Sequence, residues 1–280
     1  MQLQHNGNVV NRFPTRYVEE LLGFLLLNPH VEHSRLKLID LLWPDCAEKQ
    51  GRGRLNTTLW RLRTLFDTLD VSHDTLLHTT RGWVSFKPDS LMQADFELFE
   101  KCAQKAQFEN DFDEREHLLH QAVAEYQGDF CEGIYTDWCL IERERLARLH
   151  LRLLGQLMHC LLQRGEYEAA AEMGQHILQM DPLREEVHRA VMLCYKNLGW
   201  HTKAIKQFQI CSDLLALELR VVPMPETAVL FNQVISERTR HVQTDLLTHD
   251  PLQDELQAAF VQFQSASDRL NKLLARYKSS

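Results

Sequence analysis

GRGRLNTTLWRLRTLF, residues 51–66, combines four arginines with a helical apolar period and holds no acidic side chain. Leu55, Leu59, Leu62 and Phe66 recur at spacings of four, three and four, which with Thr58 predicts one helix face turned to a core. The opposite face then carries Thr57, Trp60 and Thr64, flanked by Asn56 and Arg61, with Arg52 and Arg54 near the N-terminal end. What precedes and follows this helix decides the fold. Upstream, TRYVEELLGFLLLN (15–28) reads as an amphipathic helix ended by Asn28-Pro29. SRLKLIDLLW (34–43) reads as a second, with Ser34 as its cap, Leu36, Ile39, Leu42 and Trp43 on one face, and Pro44 as its stop. Asn6-Gly7 predicts a tight hairpin before them. TLLHTTRGWVSF (75–86) alternates weakly around Arg81-Gly82, as a terminal hairpin does. Three helices closed by a hairpin is the order of a winged helix-turn-helix.

The charge distribution supports a division of labour. The 280-residue chain has 31 Lys+Arg against 39 Asp+Glu, a net of −8. Residues 1–90 hold 11 basic and 10 acidic side chains, leaving 20 and 29 for residues 91–280. A nearly neutral head with its cations gathered on one helix, joined to an acidic body, suits nucleic-acid binding. The most apolar run, Leu21–Leu27, is far shorter than the roughly 18–20 residues of a membrane span. Neither a signal-peptide pattern nor a C-x-x-C pair is present, and the seven cysteines read as reduced, mostly buried thiols of a cytoplasmic protein.

From Asp95 onward the pattern is helical, with helices predicted near 94–108, 113–127, 136–163, 167–180, 183–198, 201–219 and 226–239. Gly165-Glu-Tyr-Glu-Ala-Ala170 and Gly199-Trp-His-Thr-Lys-Ala204 are offset by 34 residues, the tetratricopeptide period. Asp181-Pro182 falls at the inter-repeat turn, small Ala170 and Ala204 sit where helices cross, and Tyr195 and Phe208 are placed to fill the groove. The expected fold is mainly α, an N-terminal winged helix-turn-helix plus a C-terminal tetratricopeptide-like helical domain.

YQGDFCEGIYTDWCLIERERL (126–146), together with LLQRGEYEAAAEMGQHILQMDPLREEVHRAVMLCYKNLG and VVPMPETAVLF, resembles the bacterial transcriptional activation domain that follows a winged helix in SARP-type regulators. LIDLLWPD and RLNTTLWRLRTLF resemble the second and third helices of that family's winged helix, so the resemblance covers about residues 13–236. It departs in two places: only some 13 residues precede the first helix, where the family's β-sheet is longer, and residues 240–280 extend past the usual end. The resemblance implies a cytoplasmic, DNA-binding transcriptional activator. Its double-stranded DNA, RNA polymerase and homodimer partners are likewise implied; the residues themselves show no metal spacing, and no membrane, cofactor or metal is expected. The expected domains are 1–90 (winged helix-turn-helix), 91–240 (activation domain) and 241–280 (a helical extension).

The DNA-binding residues expected are Arg52, Arg54, Asn56, Thr57, Trp60, Arg61 and Thr64 on the recognition helix, and Arg81 in the wing. Arginine grips guanine, asparagine can read adenine, and threonine offers a hydroxyl to phosphate or a methyl to thymine. Trp60 either meets thymine methyls and sugar carbons or packs on a neighbouring loop. Trp83 is expected to pack inward, and His30 and His33 to be loop and cap residues. Glu142 and Glu144 alternate with Arg143 and Arg145, the pattern of a charged helix surface. Residues 256–277 repeat Leu256, Phe263, Leu270 and Tyr277 every seventh position, an a/d seam suited either to self-pairing or to packing on the helical body. The chain has no phosphate loop, nucleophile elbow or zinc-protease signature, so no catalysis is expected. The alternative is a tetratricopeptide-like interaction adaptor whose winged helix binds no DNA; salt-dependent DNA affinity separates the two.

Overall fold

The computed structural model describes residues 1–248, so the heptad seam at 256–277 lies outside the described residues. The chain forms two compact units, the first Met1–Met173 and the second starting at Gly174.

The first unit opens with β1 (Leu3–His5) and β2 (Asn8–Val10), joined through Asn6 and Gly7 at φ 48° and 86°. Both values are left-handed, as the Asn-Gly hairpin requires. A strand not foreseen, β6 (Met92–Ala94), completes the sheet in the order β2-β1-β6. Three-residue strands carry too short an alternation to be read from sequence.

Between them lie α1 (Arg16–Leu27), β3 (Glu32–Ser34), α2 (Arg35–Leu42), α3 (Glu48–Thr68), a single turn α4 (His73–Leu76), β4 (Leu77–Thr79) and β5 (Trp83–Phe86). Strands β4 and β5 form the wing hairpin, and β3 extends it in the order β3-β5-β4. Ser34 caps α2 by accepting from the Lys37 amide. Leu55, Thr58, Leu59, Leu62 and Phe66 are all buried, the face that their spacing predicts.

Three side chains of these elements depart from expectation. Trp83 is 50 % exposed rather than inward. Val84 and Phe86 take the core side of β5, and the two-residue period turns Trp83 the other way. His33 is neither a loop nor a cap residue: it is buried in β3, edge-on to Phe24 with ring centroids 4.9 Å apart. On α2, Leu38 is buried while Leu36 is exposed.

The core that begins with Leu3 and Val18 runs without a break through Phe86, Phe96, Phe99 and Leu119 to Leu157. It thus includes α5 (Asp95–Phe108), α6 (Phe112–Glu125) and α7 (Asp137–Arg164). In the 126–146 stretch, Arg143 is not part of a charged surface. Its guanidinium donates to the carbonyls of Phe130, Cys131 and Ile134 and so fixes the turn ahead of α7. Arg145 does follow the surface pattern, bridging Glu142 and Glu100.

The helices α8 (Tyr167–Met180), α9 (Glu185–Asn197), α10 (His201–Leu214) and α11 (Pro225–Thr248) carry the tetratricopeptide-like pattern. Gly165 and Gly199, at φ 77° and 74°, end the helices before α8 and α10 in the left-handed conformation that glycine takes readily. Ala170 and Ala204 are fully buried. In the second unit Phe208 stacks on Phe231 at 4.0 Å. There His188 donates from Nε2 to the Pro182 carbonyl and accepts at Nδ1 from Gln207, whose oxygen accepts from Gln175. A single π-helical turn, Leu215–Leu219, ends α10. No helix among the described residues is long and apolar enough to cross a membrane.

Candidate nucleic-acid interface

Helix α3 presents an outward strip of Gly53, Thr57, Trp60 and Thr64, all exposed. Trp60 is 63 % exposed. The hydroxyls of Thr57 and Thr64 donate back to the carbonyls of Gly53 and Trp60, 3.1 Å each. Their protons are therefore satisfied within the helix, and the methyls and oxygen lone pairs remain for a partner.

One flank of the strip is tied to its neighbours. Arg52 is held by Glu48 one turn earlier at 2.6 Å. Arg35, the first residue of α2, donates from Nη2 to Asn56 Oδ1. Its backbone N–H donates to the Gly82 carbonyl in the wing turn at 2.9 Å. Arg63 donates to Thr79 Oγ1 on β4. Burial and the nearby Arg52 and Arg63 charges push the Arg35 pKa down. A gathering of three guanidiniums stores repulsion that an anion relieves.

The other flank borders an open groove of about 590 Å³, whose lining includes Tyr17, Trp43, Lys49, Arg54, Thr57 and Arg61. Tyr17 and Trp43 form its aromatic side, ring centroids 5.0 Å apart. At the wing tip Arg81 is exposed.

The structure thus brings Arg52, Arg54, Asn56, Thr57, Trp60, Arg61 and Thr64 onto one surface of one helix, with Arg81 in the neighbouring hairpin. Sequence reasoning missed Arg35. One signal was available: an arginine in the first turn of a helix with no acid there opposes the helix dipole, which asks for another role. Among the described residues no group of His, Cys, Asp and Glu could hold a metal.

The model of the bacterial transcriptional activator domain family matches residues 94–235. The regulatory protein AfsR of Streptomyces coelicolor is 26 % identical over 255 residues, 91 % of this chain and 24 % of that protein. The transcriptional regulatory protein MoaR1 of Mycobacterium tuberculosis is 23 % identical over 228 residues, 78 % of this chain and 71 % of that one. This chain thus spans about a quarter of AfsR. In fold it is similar to Mycobacterium tuberculosis EmbR, solved in complex with a low affinity phosphopeptide. The TM-score there is 0.68 at 16 % identity, over 83 % of this chain and 62 % of that one.

Proposed function

From a chain that belongs to the bacterial transcriptional activator domain family, we propose a sequence-specific DNA-binding transcriptional activator. In this reading residues 1–90 bind double-stranded DNA, 91–240 form the activation domain, and 241–280 extend it. Arg52, Arg54, Asn56, Thr57, Trp60, Arg61 and Thr64 meet the major groove, and Arg81 meets the backbone or minor groove beside it. The observation that carries the reading is the exposed strip of α3 with arginines along both flanks, on a helix whose apolar face is wholly committed to the core. Such a helix in a chain of net charge −8 gathers positive potential where a phosphate backbone needs it.

The helical body is the partner-facing part. Leu217, Val222 and Met224 are exposed around the end of α10, an apolar edge suited to protein contact. RNA polymerase is the partner that the family implies, and a homodimer would place two winged helices over repeated half-sites. The protein works in the cytoplasm and carries out no catalysis of its own.

The test is DNA affinity against salt. Each phosphate neutralised contributes about −0.9 to the log–log slope, so several contacts give a steep line. A flat line with every duplex tested returns the chain to a protein-interaction adaptor.

A further inference from the structure

The Arg35–Asn56 contact fixes more than position. A guanidinium has five donors and no acceptor, whereas an asparagine amide has an accepting oxygen and a donating nitrogen. The atom of Asn56 that faces Arg35 must therefore be its oxygen. Arg35 is anchored independently of Asn56: its amide is bonded to Gly82 in the wing turn, and its stem lies half-buried at the start of α2. Asn56 itself stands exposed on the side of the strip. With the oxygen turned toward α2, the amide nitrogen points away from Arg35.

Resting on the DNA-binding reading above, we infer that Arg35 is a positioning residue that sets the base preference of Asn56. Held this way, Asn56 offers N–H donors to a base edge. Guanine presents two acceptors in the major groove, O6 and N7, whereas cytosine presents only a donor. Adenine and thymine each have one acceptor, N7 and O4, and a bidentate match to adenine also needs the amide oxygen, which Arg35 shares. The preferred base opposite Asn56 is guanine. An unrestrained asparagine would instead turn its amide to suit adenine.

The experiment is selection of bound duplexes from a random library by the full chain, with sequencing of the survivors. In wild type one position should favour guanine by about fivefold or more, and Asn56→Ala should level that position and so identify it. Arg35→Met keeps the stem and removes the donors. It should lose the guanine preference at that position while adenine rises, and Arg35→Lys, which restores a donor, should recover guanine. Asn56→Asp can only accept, leaves Arg35 in place, and should move the preference to cytosine, so the inference does not hang on the folding of one variant. Overall affinity is expected to fall in Arg35→Met as well, but a uniform fall leaves base preference unmoved and does not count in favour. An Arg35→Met protein that still selects guanine, or an Asn56-dependent position that is not guanine in wild type, overturns the inference while DNA binding stands. A wild type that enriches no sequence overturns both.

Discussion

On one flank of α3, Glu48 holds Arg52, Arg35 holds Asn56 and Arg63 holds Thr79. On the other, Arg54 and Arg61 line an open groove, and their guanidiniums have no hydrogen-bond or ion-pair partner among the described residues. The residue types are similar; what differs is how much ordering remains to be paid for on binding. A long side chain immobilised at an interface costs about 0.5–1.5 kcal/mol. The held flank has met that cost in the free protein and gains geometric definition. The open flank has not, and gains adaptability. Definition suits reading a base edge, and adaptability suits gripping a phosphate whose position varies with DNA shape.

The largest expected effect removes the frame that both flanks share. Gly51 faces Ile39 where α3 crosses α2, and a Cβ there would overlap Ile39 Cγ2. Ile39 is buried and branched, so it has little room to yield. Gly51→Val should cost about 3 kcal/mol by overpacking and abolish discrimination between operators along with it. Thermal denaturation checks the first, and competition between specific and random duplexes checks the second. A stable, discriminating variant would mean that the crossing tolerates separation.

Next in size is loss of the open flank. Arg54→Ala and Arg61→Ala should each weaken binding by about 1–2 kcal/mol. If they grip phosphates, each also flattens the salt slope by about 0.9. Equal losses on all sequences assign them to the backbone; a loss confined to one base position assigns them to readout. Either outcome sharpens the contrast with Asn56.

A smaller effect of opposite sign should come from Glu48. Its carboxylate pairs with Arg52 in an exposed i,i+4 arrangement, worth little to stability. On the proposed DNA-binding surface it is also a negative charge that would lie near phosphate. Glu48→Gln should therefore leave the melting transition in place, tighten DNA binding by less than about 1 kcal/mol, and steepen the salt slope. Isothermal titration at two ionic strengths distinguishes this from a purely structural cap at the helix N-terminus, whose loss would weaken binding instead.

Much of this contrast was legible in the residues, and the part that was not has a physical cause. The core face of α3 follows from the spacing of Leu55, Leu59, Leu62 and Phe66, because a long helix repeats its signal over several turns. The 34-residue offset likewise placed Gly165 and Gly199 at helix ends and Ala170 and Ala204 inside. By contrast β3 and β6 are three residues each and pair with strands far along the chain, so no local period announces them. Trp83 was misjudged for the same reason: which side of a four-residue strand faces the core depends on the strands it joins. Most of the ties on the held flank are invisible in the sequence, because Arg35 and Asn56 are 21 positions apart and Arg63 and Thr79 are 16. Periodicity says which way a side chain points, not what it meets there.

The smallest effect concerns acid. His33 lies in β3, directly before Ser34 and Arg35, and burial with the nearby Lys37 charge lowers its pKa. In the second unit burial does the same to His188. There the hydrogen bonds explain it further: Nε2 donates to Pro182 and Nδ1 accepts from Gln207, so a second ring proton would face an N–H. A histidine whose folded pKa lies below its unfolded value of about 6.5 stays neutral when folded. The unfolded chain then takes up protons first as the pH falls. Stability is therefore complete above about pH 6.5 and declines below it, until the folded pKa is passed. Urea midpoints measured between pH 7.5 and 5 should drop, and His188→Leu should remove part of the slope at the cost of the Gln207 contact. His33→Leu should remove another part, and in that variant specific DNA binding should hold to lower pH, because the strand that leads into Arg35 no longer carries a group that charges. If acid weakens specific binding equally in wild type and His33→Leu, the held flank does not depend on His33 remaining neutral.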